Sequence, residues 1–128
     1  MKKSRKNFGT TKKTRSGIMC EQGEIVIVPF PFSDLSRVRQ RPVLILSKEE
    51  DSKKTDDVIT CGITSNLKNA AHSVLIDNTD LESGKIPVKS RIKVDKLFTL
   101  EKSIIVKSVA KIKKEALEKV RAKFKNLV

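Results

Sequence analysis

The chain has 128 residues, enough for one compact domain with a real core and too few for two ordinary ones. Lysine and arginine total 28 against 15 aspartate and glutamate, a formal charge of +13, so RNA, DNA or an acidic protein is the expected partner class. No apolar run approaches the roughly 18 residues that span a bilayer, and no signal-like hydrophobic centre occurs, so no membrane association and a cytoplasmic location are expected.

The first 19 residues carry Lys2, Lys3, Arg5, Lys6, Lys12, Lys13 and Arg15 and no acidic side chain, which leaves 21 cations against 15 anions in the remainder. Lacking an apolar stretch that could bury itself, residues 1–20 are expected to be a disordered basic tail, and residues 21–128 the domain. Ile25 to Phe30 and Pro42 to Ser47 are continuous apolar runs, the pattern of strands covered on both faces. The polar stretch Pro31 to Gln40 between them reads as a loop, and so does the charged stretch Lys48 to Asp56.

Asp57 to Thr64 alternates in part, with Ile59, Cys61 and Ile63 on one face and Val58, Thr60, Gly62 and Thr64 on the other; Gly62 predicts a bulge or a close backbone approach. Ser73 to Ile76 is a further short strand, followed by turn-rich Asp77 to Asp80 and Ser83-Gly84. Pro87 to Leu100 alternates again, Ile92 and Val94 pointing one way and Arg91, Lys93 and Asp95 the other. A last strand is expected around Ile104 to Val109. Leu117, Val120, Phe124 and Leu127 then recur at helical spacing, an amphipathic C-terminal helix with its charges on the opposite side. These elements predict an α+β, mainly β domain: a small, strongly curved antiparallel sheet or barrel with a helix laid against it.

If the strand from Pro42 pairs with that from Asp57, chain direction places Arg41 and Thr64 at one end, beside the loop Pro31 to Gln40. Pro42 biases Arg41 towards an extended backbone, and a guanidinium suits phosphate oxygens. Spacing alone leaves two readings open at each position: Arg41 as a surface residue or a phosphate ligand, Thr64 as an ordinary strand residue or a hydrogen-bond donor. The strip Arg91, Lys93 and Asp95 is either a solvated sheet face or part of a site, and His72 reads as structural. Cys20 and Cys61 have no CxxC spacing and no nearby His, which argues against a zinc site or a disulfide framework; Cys61 is expected in the core.

Four pieces, in order, resemble the MazF/PemK family of toxin endoribonucleases from bacterial toxin–antitoxin pairs. They are the Gly-Glu-Ile-Val opening at Gly23 with its Pro-Phe-Pro-Phe continuation, the Arg41-Pro42-Val43-Leu44 strand, the Ile63-Thr64-Ser65 strand end, and Ser90 to Thr99. The likeness covers roughly Gln22 to Val109. It implies an SH3-like antiparallel barrel with a C-terminal helix, acting as a homodimer that cuts single-stranded RNA with no metal or cofactor. Arg41 and Thr64 fall at the family's main catalytic positions. Lys93 and Asp95 fall where some members carry an Arg and an Asp; the lysine keeps the charge without the bidentate fork, and Asp95 is a candidate base or a group that orients Arg41. The loop Ser33 to Gln40 lacks the glycines many members place there, and the basic tail lies outside the family pattern.

The implied reaction uses the RNA's own 2′-OH as in-line nucleophile, with Arg41 on the scissile phosphate and Thr64 donating a hydrogen bond, and leaves a 2′,3′-cyclic phosphate and a 5′-hydroxyl. Candidate RNA contacts are Phe32, Arg37, Arg39, Ser65, Lys68, Arg91 and Lys93. With no Trp or Tyr in the chain, only Phe can stack on a base, and Phe32 beside the expected mouth is either that platform or a loop anchor. The family also implies an acidic cognate antitoxin, with operator DNA bound only as the toxin–antitoxin complex. Two other readings are a gyrase-gripping toxin of related fold, whose terminal Trp is absent here, and an inactive RNA-binding barrel driven by the tail.

Overall fold

The computed structural model describes residues 20–31, 38–48 and 54–127. The expectations for the basic N-terminal segment, Phe32 and Arg37 lie outside the described residues. Seven strands form one antiparallel sheet: β1 (Glu24–Pro31), β2 (Val38–Ile45), β3 (Asp57–Thr64), β4 (Ser73–Ile76), β5 (Leu81–Gly84), β6 (Ser90–Glu101) and β7 (Lys107–Ile112). Their order across the sheet is β4-β6-β3-β2-β1-β7-β5, and the sheet curls into a half-barrel. The helix α1 (Lys114–Lys125) packs on β4 and β6. Both edges are four-residue strands, which present few unpaired backbone groups to another chain. Among the described residues no helix is long and apolar enough to cross a membrane.

The continuous apolar runs of β1 and β2 have a direct structural cause. Because side chains alternate along a strand, Ile25 and Leu44 enter one core while Val26, Val28, Val43 and Ile45 enter a second core on the other face. The first core collects Cys61, Ile63, Ile92, Val94, Ala110 and Ile112 under Ala116 and Val120 of the helix. The second gathers Val58, Ile105 and Cys20, so Cys20, assigned by sequence to the tail, is buried against the sheet. The Cys61 thiol sits in the core as expected, where desolvation pushes its pKa up to about 12 and leaves it unreactive. Thr60 is fully buried and donates its hydroxyl to the Phe98 carbonyl at 3.1 Å.

Several details differ from the sequence expectation, among them the start of β6 at Ser90 rather than Pro87. β2 starts at Val38 rather than Pro42, because Val38 to Arg41 pair with β1 in a two-stranded arm; pairing with β3 begins only at Val43, just past Pro42, which has no N–H to give. Ser83-Gly84, read as a turn, belongs to the edge strand β5 on β7. The last strand runs from Lys107 to Ile112 rather than Ile104 to Val109, since Lys102–Ile104 form a 3₁₀ turn that drops Ile105 into the second core. Phe124, expected inside, is 36% exposed: the helix covers the sheet through Ala116 and Val120, and Phe124 lies at the rim beside Leu46 and Ile59.

Candidate active site

The β2–β3 ladder pairs Val43 with Gly62, Leu44 with Cys61 and Ile45 with Thr60. Continuing that antiparallel register by two residues brings Arg41 level with Thr64, at the end of the sheet anticipated from chain direction. On the other side of β3, Gly62 faces Lys93 and Thr64 faces Arg91 of β6. Gly62 and Thr64, Arg41 and Val43, and Lys93 therefore share the face opposite the helix-covered core.

These residues line a cavity of about 210 Å³, together with Pro42, Ile63, Lys96 and Phe98. Among the described residues that line it, the three charged side chains, Arg41, Lys93 and Lys96, are all cationic. Its floor stays open because Gly62 has no side chain: a Cβ there would meet Lys96 Cβ and Phe98 Cε2 at 3.6 Å, ordinary contact that would occupy the space without strain. Thr64 is oriented by the chain itself. The Asn66 N–H donates to Thr64 Oγ1 at 3.1 Å, which leaves the hydroxyl proton to be donated elsewhere. The next link continues the turn, with the Lys68 N–H donating to Asn66 Oδ1 at 3.0 Å.

A β-bulge decides which β6 residues reach this cavity. Cys61 pairs with Leu97 but its neighbour Gly62 pairs with Lys93, so Val94, Asp95 and Lys96 are extra on the β6 side. The bulge falls beside Gly62, as that glycine predicts. Val94 remains in the first core, its N–H donating to the His72 carbonyl at 2.9 Å, while Lys96 reaches the cavity and Asp95 is exposed outside it. Among the described residues no group of three or more His, Cys, Asp or Glu side chains is arranged to hold a metal ion.

Residues 21–128 match the family of PemK-like, MazF-like toxins of type II toxin–antitoxin systems. The chain belongs to this family. Its fold is that of solved members: MazE–MazF (Form III) from Deinococcus radiodurans aligns with a TM-score of 0.71 at 21% identity, covering 86% of this chain and 96% of that one. A mycobacterial endoribonuclease in complex with its cognate antitoxin gives 0.67 at 18% identity over 83% and 91%. The Mycobacterium tuberculosis toxin MazF-mt6 gives 0.65 at 18% identity over 80% and 93%. A search of curated protein sequences finds no match.

Within this MazF/PemK-family chain the described candidate residues other than Asp95, which lines neither cavity, separate into three groups. Arg41, Thr64 and Lys93 meet in the cavity just described. Arg39 and Ser65 line a second, larger cavity of about 560 Å³ at the same end, which shares Arg41, Pro42 and Ile63 with the first. Arg91 and Lys68 line neither. The Arg91 guanidinium instead holds the loop after Thr64, Nε donating to the Leu67 carbonyl and Nη1 to Ser73 Oγ, both at 3.1 Å, and Lys68 is exposed on that loop. Lys96 and Phe98 are the site residues that sequence reasoning missed, because strand alternation carried unbroken through the bulge does not place them beside Lys93.

Proposed function

We propose that the chain is the toxin of a type II toxin–antitoxin pair and a metal-independent, sequence-specific endoribonuclease acting on single-stranded RNA, which stops translation and growth. The observation that carries this reading is the cavity in which a guanidinium, an oriented threonine hydroxyl and two ammonium groups converge, with no carboxylate among the described residues that line it. Such a site suits a phosphodiester whose negative charge grows during the reaction. Arg41 binds the scissile phosphate through its planar fork, and Thr64 donates its free hydroxyl proton to a phosphoryl oxygen. Lys93 and Lys96 add point charges, and Phe98 forms part of the apolar wall that limits water. The RNA 2′-OH attacks phosphorus in line and the 5′-oxygen leaves, giving a 2′,3′-cyclic phosphate and a 5′-hydroxyl; no protein nucleophile is required.

Family membership supports an antitoxin partner, and an acidic segment is the chemistry that fits this cationic end of the sheet. A homodimer, a cytoplasmic location and operator binding only as the toxin–antitoxin complex complete the proposal. The deciding experiment incubates wild type and Arg41→Ala with a long single-stranded RNA in EDTA and maps the new 5′ ends. Cuts at a short recurring sequence with 5′-hydroxyl ends, absent with the variant, are expected. Dependence on a divalent metal, or intact RNA after treatment with folded protein, would overturn the mechanism.

A further inference from the structure

Thr64 ends β3, and residues 65–72 lead from it to β4 without helix or strand. The start of this connection orients the threonine: the Asn66 N–H donates to Thr64 Oγ1, and the Lys68 N–H donates to Asn66 Oδ1. Both bonds join near neighbours on an exposed stretch, the kind that opens readily unless the backbone is fixed from elsewhere. The fixing comes from β6. Arg91 stands level with Thr64 in the β3–β6 ladder and with Leu75 in the β4–β6 ladder, so its side chain spans the connection. Nε donates to the Leu67 carbonyl and Nη1 to Ser73 Oγ, both at 3.1 Å. Ser73 is 5% exposed and donates its own proton to the Ala70 carbonyl at 2.8 Å, so one planar group ties both arms of the connection to a buried point of the sheet. The Leu67 carbonyl and the Lys68 N–H belong to one rigid peptide unit. Arg91 therefore grips the oxygen of the same unit whose N–H holds the Asn66 side chain.

We infer that Arg91 is a positioning residue for RNA cleavage: through the Leu67–Lys68 peptide and Asn66 it keeps the Thr64 hydroxyl aimed at the phosphate, without touching RNA itself. Resting on the endoribonuclease reading, this role takes Arg91 out of the RNA contacts expected from its alternation with Lys93. Its guanidinium is committed to two acceptors on the connection, and Arg91 lines neither cationic cavity. A hydroxyl aimed in advance needs no reorganisation when charge develops, and a misplacement of about 1 Å costs about 10²-fold in rate. The task needs the fork: two donors at a fixed angle reach Leu67 and Ser73 together, whereas a lysine ammonium is a compact point charge on a flexible stem.

The test compares wild type, Arg91→Lys, Arg91→Ala, Thr64→Val and the double variant Thr64→Val/Arg91→Lys by single-turnover RNA cleavage in EDTA. Binding of an uncleavable 2′-fluoro RNA across a range of salt, and amide hydrogen exchange at Asn66 and Lys68 in the RNA-free protein, are measured alongside. Both Arg91 variants are expected to cleave about 10–10²-fold more slowly, with faster exchange at the two amides. Arg91→Ala is expected to keep the wild-type affinity and salt slope, and Arg91→Lys to cause no further loss once Thr64 is Val. Weaker binding by Arg91→Ala with a slope shallower by about 0.7 would make Arg91 a phosphate contact and overturn the inference. So would a wild-type rate for Arg91→Lys, unchanged exchange at Asn66, or losses that multiply in the double variant. Melting curves check folding; if Arg91→Ala does not fold, Arg91→Lys carries the rate, double-variant and exchange comparisons. If wild type binds RNA without cutting it, the nuclease reading fails and the role of Arg91 with it; if wild type cuts and Arg91→Lys cuts equally fast, only the role of Arg91 fails.

Discussion

At Arg41 and Thr64 the proposed chemistry depends on how strand pairing and the Asn66 N–H place the two side chains. Arg41→Ala should lower the cleavage rate about 10²–10³-fold, the usual worth of one preorganised donor to a developing oxyanion, while Arg41→Lys restores the charge but not the fork and so only part of the rate. Single-turnover cleavage in EDTA measures both. Thr64→Val removes the hydroxyl that accepts the Asn66 N–H and that we propose donates to the phosphate, so a loss of similar size is expected; Thr64→Ser should restore most of the rate. Asp95 is exposed on the bulge outside the cavity, so Asp95→Asn should change the rate less than tenfold, and a loss as large as that of Arg41→Ala would put the base there. How far these residues could be read in advance follows from strand pairing. Arg41 and Thr64 meet because two apolar strands joined by a polar loop run antiparallel. Lys93 and Asp95 look equivalent in an alternating strand, and only the bulge after Lys93 separates them.

Individual elements are held by local backbone requirements that the sequence records unevenly. Gly84 in β5 has φ of +74°, and a Cβ there would collide with the Val109 carbonyl and the Ala110 Cα, so the strand approaches β7 as no other residue could. Gly84→Ala should cost about 2–3 kcal/mol or more and lower the melting temperature by several degrees, with a melting curve as the check. The turn before β5 is secured by a capping box: the Thr79 N–H and hydroxyl donate to Asp77 Oδ1, and the Asp77 N–H donates to Asp80 Oδ2. Those hydrogen bonds hold the Asp77 carboxyl below its ordinary pKa. A carboxylate depressed in the folded state stabilises it above the unfolded pKa, and that contribution disappears as pH falls through the folded value. Asp77→Ala should therefore lower the melting temperature at neutral pH, with the difference from wild type shrinking as pH falls through the folded value. Composition shows Asp77-Asn78-Thr79-Asp80 and Ser83-Gly84 as turns; that the second pairs as an edge strand is a property of β7, distant in sequence. The helix was legible from its period, but not the arc it buries, which the positions of β4 and β6 select.

At the largest scale, the described residues form a curled sheet with a core on each face, covered by a helix on one side and carrying its cationic cavities at one end. Every residue proposed to act in the first cavity lies between Arg41 and Phe98. A chain beginning at residue 20 should therefore still cleave RNA in EDTA, with a weaker salt dependence of binding because seven cations are gone. Loss of cleavage with folding intact would shift the activity to the basic segment. The mainly antiparallel domain, the doubly buried central strands, the C-terminal helix and the common end shared by Arg41 and Thr64 could be read from the residues alone, because they follow from side-chain period, turn chemistry and chain direction; the family came from four motifs in order. That β2 reaches back to Val38, that Arg91 braces a loop, and that Lys96 and Phe98 line the cavity emerge only once the chain is folded. Those placements arise from a bulge and from pairings between distant segments, where one shifted residue changes which side of the sheet a side chain faces.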